Sequence, residues 1–478
     1  MVALADDGLS TLDENEIAAF AATLDGRLIR PGSEDYQHKR LLWNGMIDRY
    51  PALIAEVAST AGVVTAVNFA RAHGLRLSVR GGGHNVAGLA SNDGGLVIDL
   101  RALKQIDVDP VARVARAGGG VTIGELDAAT QRFGLAAAMG VVSATGIAGL
   151  TLGGGFGWLS HKYGLAADNL IGAEVVTAGG RVLRASEDKN ADLLWGLRGG
   201  GGNFGVVTEL VYRLHPAGPE VAFTFIFHDA GDERMAAAIR FYRDFSAAAP
   251  DEVSSLMAIG RITPDEHHFP VELHRRPFAL FVAMYAGPPQ VGQEAMKPIV
   301  EFGQPLLDFS GVMPYVEAQQ MFDADYPDGM RYYWKSLNLS RLDETAIARI
   351  VEHARRMPSD LSTIDLWHIG GAIQRFGPEH GAYGGRQAAF LLSPEGNWEA
   401  PQDDEANIAW VRGLIDDMAP FSDGGRYLNF AGFQEEGDEL MKKAFGANYA
   451  RLAALKAKYD PENLFRMNQN IRPEDSWE

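Results

Sequence analysis

The segment SVRGGGHNVAG, Ser78 to Gly88, decides how the rest of the chain is read. Residues 75–79 alternate as a strand does and deliver the chain into three consecutive glycines. The exposed N–H groups of Gly81, Gly82 and Gly83 can form an anion-binding nest suited to a diphosphate. Arg80 adds positive charge beside the nest, and His84 follows at once. A histidine next to a glycine turn is ordinarily only a turn residue, so its meaning depends on what surrounds it.

Outward from this segment, glycine clusters recur. The chain has 55 glycines, and Gly81–Gly83, Gly118–Gly120, Gly153–Gly155 and Gly199–Gly202 fall within one stretch. Such clusters are costly in chain entropy, and four of them predict a backbone that approaches a large ligand closely. Short helices and strands alternate around them. The pattern predicts a helix over 62–73 and strands over 96–100, 112–117 and 205–214. Thr122 and Glu125 form a T-x-x-E capping box opening a helix that reaches about Phe133. Two apolar-alternating runs around Gly179-Gly180 read as a hairpin over 173–185, and Asp192 caps a short helix. Gly200, Gly202 and Gly205 spell G-x-G-x-x-G, but a strand follows where a dinucleotide-binding fold needs a helix, so that reading is rejected.

After Pro216 the texture changes. Aromatic strands are expected at 221–227 and 278–285, further strands at 361–373 and 387–392, and helices at 233–248 and 343–357. These read as a second domain, one sheet with helices packed to one side. The tail, 439–458, is helical. His267-His268 sits in a polar loop and reads as a solvated turn, so no metal site is expected.

The chain has 478 residues, of which 46% are hydrophobic and 22% charged, values that suit a globular protein of two domains. The net charge of -19 disfavours nucleic-acid and membrane-surface partners. With no cysteine, disulfides and thiolate chemistry are excluded. The acidic N-terminus lacks the pattern of a secretory signal, no apolar run is long enough to span a bilayer, and a cytoplasmic location is the expectation.

Three segments carry a resemblance: VRGGGHNVAG; GVVSATGIAGLTLGGGFGWLSHKYGLAADNL, residues 140–170; and the closing YDPENLFRMNQNI, residues 459–471, preceded by Tyr427-Leu428-Asn429-Phe430. Together they cover roughly residues 40–215 and 425–473. They resemble flavoprotein oxidoreductases of the vanillyl-alcohol-oxidase superfamily, specifically the berberine-bridge-enzyme-like group in its bacterial form. The resemblance implies an α+β chain with a PCMH-type FAD-binding domain of two α/β subdomains over 1–215. A substrate domain on an antiparallel sheet covered by helices would follow over 216–425, and 426–478 would return to the FAD domain. It implies FAD joined covalently through His84. Val79, Arg80, Gly81, Gly82, Gly83 and His84 would cradle the pyrophosphate, with Asn85 and Gly88 completing the loop. Val142, Ser143, Thr145, Gly146, Gly149, Gly153, Gly154, Gly155 and Gly157 would lie along the opposite side. Asn203, Gly205 and Val207 would pass near adenine and ribose, and Asn468 and Gln469 would return towards the isoalloxazine.

The chain departs from the family in three places. Val142 stands where many members attach a second bond through cysteine, so one covalent link is expected. Phe430 stands where several relatives place a catalytic tyrosine, and it cannot accept a proton. The segment Phe390-Leu391-Leu392, matched to a strand that carries a glutamate in some relatives, is apolar. Alternative bases are Tyr427, Tyr332, Tyr333, Lys335 and His368. RYYWKS, 331–336, reads equally as an aromatic core with one exposed lysine, and His368 as a satisfied core histidine. Thr145 matches the position that governs oxygen access, and being small it is compatible with oxygen as acceptor. The expected reaction is oxidation of a small ring-containing alcohol, sugar or amine by hydride transfer to flavin N5. A flavin-binding protein without turnover, and a binding module without flavin, are the competing readings.

Overall fold

The computed structural model describes residues 2–5, 8–231, 233–264, 269–433 and 437–474; His267 and His268 lie outside them. Two small sheets and one large one organise the chain. In the first, Leu53–Val57 and Leu77–Arg80 flank Leu96–Asp99 in parallel, and Gly26–Ile29 joins antiparallel. The parallel strands are largely buried, and Leu53, Ile54, Ala55, Val57, Leu77, Leu96, Val97 and Ile98 supply their apolar positions. Helix Thr60–Ala72, capped by Ser59, lays Val63, Ala66, Val67 and Ala70 on the sheet. The second sheet is antiparallel, in the order Val182–Ser186, Leu170–Val176, Val206–Arg213, Val114–Gly118 and Ile106–Asp109. The Thr122–Glu125 capping box is present. Asp192 caps nothing: Asn190 is the cap residue of helix Ala191–Leu197, and Asp192 pairs with Lys458 instead.

The large sheet has nine antiparallel strands among the described residues: seven run from Pro305–Asp308 through Glu220–Asp229, Pro277–Tyr285, Val253–Arg261, Thr363–His368 and Phe390–Trp398 to Arg331–Trp334, while Gly311–Pro314 pairs with Glu220–Asp229 and Leu337–Leu339 with Phe390–Trp398. Alternation sorts its faces. Ala222, Ile226, Phe281, Ile364, Leu366 and Leu392 turn towards helices Arg234–Ala248, Glu344–Arg355 and Asp404–Met418. Phe223, Phe225, Val282, Trp367 and Leu391 turn the other way, onto Trp158, Leu159 and Leu165 of the glycine-rich half. The α+β architecture with a helix-covered antiparallel sheet is therefore present. Two strands differ from expectation. The run at 361–373 is strand only over Thr363–His368 and then turns into helix Ala372–Arg375. The run expected at 387–392 continues to Trp398. No helix among the described residues is long and apolar enough to cross a membrane.

Candidate active site

A cleft enclosing about 1770 Å³ of empty space, part of it open to solvent, lies between the large sheet and the glycine-rich half. The loop after Leu77–Arg80 forms one wall. An added Cβ on Gly82 would meet the Gly146 nitrogen at 2.4 Å, so only glycine lets the 81–84 and 145–149 loops touch. Among the described residues, no acceptor meets the backbone N–H groups of Gly82, Gly83 or His84. Three successive free donors on a cleft wall suit a diphosphate. Beside Gly149 no protein atom lies within 4 Å of the Cβ position, leaving that space to a ligand. These observations fit FAD.

His84 lines the cleft, and its imidazole stacks on Trp43 with ring centroids 5.2 Å apart. Burial pushes its pKa down to about 4, against the opposing pull of Asp328 and Asp323. The ring is thus neutral at ordinary pH, the form with a nucleophilic nitrogen. Val79, Gly81, Gly82, Gly83, Asn85, Val142, Thr145, Gly146, Gly149, Gly153, Gly205, Val207, Asn468 and Gln469 line the same cleft, and so does Tyr427.

Other expected site residues lie elsewhere. The Arg80 guanidinium is buried away from the cleft, donating to the carbonyls of Lys39, Arg40 and Ala90 and sitting 3.8 Å from Asp99. Its charge organises the loop that carries Trp43 and leaves the nest to backbone donors. Asn203 is a buried clip: it donates to Gly200 O (2.8 Å) and Gln469 O (3.2 Å) and accepts from Ile471 N (3.0 Å). Ser143 is bound to Asp323 through its N–H and hydroxyl. Gly88 packs on Ile47, Gly154 on Tyr383, and Gly157 on the Met139 carbonyl; Gly155 donates its N–H to Tyr427.

Four of the alternative bases, Tyr332, Tyr333, Lys335 and His368, do not line the cleft. Tyr333 faces the helices and accepts from Arg412 Nε at 3.0 Å. Lys335 lies two residues further on; burial and its neighbours Arg426 and Arg412 lower its pKa to about 8. His368 packs against His161 with ring centroids 4.3 Å apart and planes tilted by 42°, and burial keeps both rings neutral. Tyr332 is fully buried beneath Trp43.

The sequence reading missed a buried carboxyl in the cleft wall. Glu395 lines it, three residues beyond the apolar Phe390-Leu391-Leu392 on the same strand. Its Oε2 accepts from Tyr326 Oη at 2.8 Å. Burial and the nearby Asp365 carboxyl hold its pKa well above the usual range. Trp43, Phe156, Tyr326, Trp334, Trp367 and Phe430 supply aromatic walls. The available signal was Ser393, Glu395 and Asn397, a polar row at every second position of a strand buried on both faces.

Residues 51–186 match the family described as FAD binding domain, and residues 426–472 the family described as berberine and berberine like. The (R)-6-hydroxynicotine oxidase of Paenarthrobacter nicotinovorans is 32% identical over 96% of this chain and 99% of its own. The crystal structure of 6-hydroxy-D-nicotine oxidase from Arthrobacter nicotinovorans superposes with a TM-score of 0.84 at 30% identity, covering 94% of this chain and 98% of that one. The glucooligosaccharide oxidase of Acremonium strictum, which carries a 6-S-cysteinyl, 8α-N1-histidyl FAD, shares the fold with a TM-score of 0.85 at 24% identity, covering 96% and 99%. With its glycine-walled cleft and this similarity over nearly the whole length, the chain belongs to the berberine-bridge-enzyme-like family of FAD-linked oxidoreductases.

Proposed function

We propose that this oxidoreductase carries FAD on a single covalent bond to His84 and oxidises a small ring-containing alcohol, sugar or amine. One observation carries the reading: His84 and Glu395 line one cleft, from the glycine-rich half and the large sheet respectively. Bound FAD supplies the hydride acceptor, N5, and an electron path to oxygen or another acceptor. The 81–84 loop would hold its diphosphate, and His84, neutral and stacked on Trp43, would form the 8α bond, as a histidine does in the Acremonium strictum oxidase. Val142 at the cleft wall offers no thiol for a second bond.

The aromatic walls suit a planar or ring-shaped substrate. Trp367 Nε1 is buried without a partner and provides a free donor on the sheet side. Glu395 serves as the base in place of the family tyrosine, whose position Phe430 occupies. A carboxyl of raised pKa is suited to accepting a proton from substrate near neutral pH. Tyr427 is unsuited, because its oxygen already accepts from Gly155 N–H at 3.2 Å and Asn429 Nδ2 at 2.9 Å. Thr145 at the cleft wall is small enough to suit oxygen as acceptor.

The test is anaerobic mixing of the purified holoprotein with ring-containing amines, alcohols and sugars. Loss of flavin absorbance with one class, and peroxide on readmitting air, is expected. A flavin that dithionite reduces but no compound bleaches would favour binding without turnover.

A further inference from the structure

We propose that Asp365 and Glu395 form a one-proton carboxyl pair, whose remaining charge makes the sheet side of the cleft a site for a cyclic amine in place of a neutral sugar or alcohol. The inference rests on the function proposed above and narrows its substrate class. Strands Thr363–His368 and Phe390–Trp398 pair with Asp365 opposite Ser393 and Thr363 opposite Glu395. The two carboxyls are therefore diagonal neighbours on one face of the sheet. That face carries Trp367 and Leu391 towards the glycine-rich half.

Both carboxyls are almost completely buried, Asp365 3% and Glu395 2% exposed. Glu395 Oε2 accepts from Tyr326, and its Oε1 lies 3.4 Å from Ser393 Oγ, which also reaches the Lys335 carbonyl at 3.2 Å. Asp365 Oδ1 has no hydrogen-bond partner. The groups around the pair are Asp325 and Tyr326 from segment 323–328, Tyr332 and Trp334 from the neighbouring strand, Thr363 and Ser393 from the pair's own strands, and Tyr242 from helix Arg234–Ala248. None of these is a cation, and Asp325 adds further negative potential.

Two buried carboxyls without a cation do not both ionise, and the pair titrates as a unit. Burial raises the pKa of both; Asp365 raises that of Glu395 further, and Asp325 that of Asp365, against a hydrogen bond from Thr363. An uncompensated buried charge is costly, and none of the neighbouring groups named above supplies a counter-charge, so a cationic ligand is favoured. A sugar or alcohol brings none. An ammonium ion does, and the surrounding Trp334, Trp367 and Tyr326 rings also favour a cation. The proton balance is closed: the ammonium ion gives one N–H proton to the singly ionised pair, leaving neutral amine and a fully protonated pair. Glu395 meets the ligand, and Asp365 acts through Glu395 as a positioning residue.

Calorimetric titration of the anaerobic holoprotein with 2-phenylpyrrolidine and its uncharged isostere 2-phenyltetrahydrofuran tests this, at pH 6 to 9 and in two buffers that differ in ionisation heat. The amine should bind at least about tenfold more tightly than the ether, with proton exchange that changes with pH. Asp365→Asn should reduce that preference about tenfold or more and flatten the pH dependence, while ether affinity changes little. Equal binding of amine and ether by the wild-type protein would overturn the proposal, whether or not the variant folds. An unchanged preference in Asp365→Asn would also overturn it. Bleaching by a sugar or neutral alcohol with no amine binding would sink this inference and leave the proposed oxidoreductase intact; absence of bleaching by every class would remove both.

Discussion

Trp43 lies parallel to His84, with planes 14° apart and centroids separated by 5.2 Å. Trp43 is itself fixed: it stacks on Tyr332 at 3.8 Å, and its Nε1 donates to the Tyr326 carbonyl at 2.9 Å. A residue remote from the glycine nest in sequence thus sets the orientation of the imidazole. An aromatic pair adds about 0.5–1.5 kcal/mol beyond its buried area. Trp43→Ala should therefore slow covalent attachment of FAD roughly 2- to 10-fold, and Trp43→Phe should restore most of the rate. Flavin retained by acid-precipitated protein, followed over time after adding FAD to apoprotein, reads this directly.

Tyr427 is expected to matter for stability more than for proton transfer. In Tyr427→Phe the Gly155 N–H and the Asn429 amide lose their shared acceptor. The expected cost is about 1–3 kcal/mol in a denaturant melt, with turnover reduced less than about tenfold. A loss of roughly 10²- to 10⁴-fold in a normally folded variant would instead make Tyr427 the proton acceptor.

The C-terminal return is fastened by a buried ion pair. Lys456 Nζ donates to Asp460 Oδ2 at 2.6 Å and to the carbonyls of Asn203 and Phe465 at 2.9 and 3.0 Å. Both side chains are fully buried. Lys456→Met leaves the Asp460 charge uncompensated and should cost about 3–5 kcal/mol. Lys456→Met with Asp460→Asn, which removes the charge and keeps an oxygen acceptor for the Leu464 N–H, should recover part of that loss, and urea midpoints of the single and double variants measure it.

Asp127 provides a pH signature. It is fully buried on helix Ile123–Thr130; burial raises its pKa to about 7, opposed by a hydrogen bond from Gln319 at 3.0 Å. Near pH 4 and below, the carboxyl is protonated whether the chain is folded or not. Between about 4 and 7 the folded protein keeps a proton that the unfolded chain has released, so raising the pH through this window removes stability. The shift corresponds to a contribution on the order of 4 kcal/mol at most. Urea melts at pH 5 and pH 8 should show Asp127→Asn gaining on the wild type at the higher pH; a gap that does not change with pH would contradict the burial account.

The glycine-rich half was legible because its function is written in backbone. Gly82 and Gly146 must be glycine because their backbones touch, and consecutive glycines are visible in any reading of the chain. The residues missed were those that depend on sheet register. Glu395 enters the cleft only because its strand runs on to Trp398 and carries the odd-numbered positions inward. A strand ending at 392 hid it. Tyr333 and Lys335 were misplaced for the same reason: Trp334, opposite Glu395, takes the cleft face, and its two neighbours turn to the other. Arg80 was misread because a guanidinium beside an anion nest invites that pairing, whereas the 39–41 carbonyls, distant in sequence, had the stronger claim.

The most direct measurement is the absorption spectrum of the purified protein before and after acid precipitation, alongside His84→Ala. Yellow flavin that stays in the pellet for the wild type and moves to the supernatant for His84→Ala is the predicted result. Flavin released from the wild type by acid would contradict the histidyl bond, and acid-stable flavin in His84→Ala would place the bond on another residue.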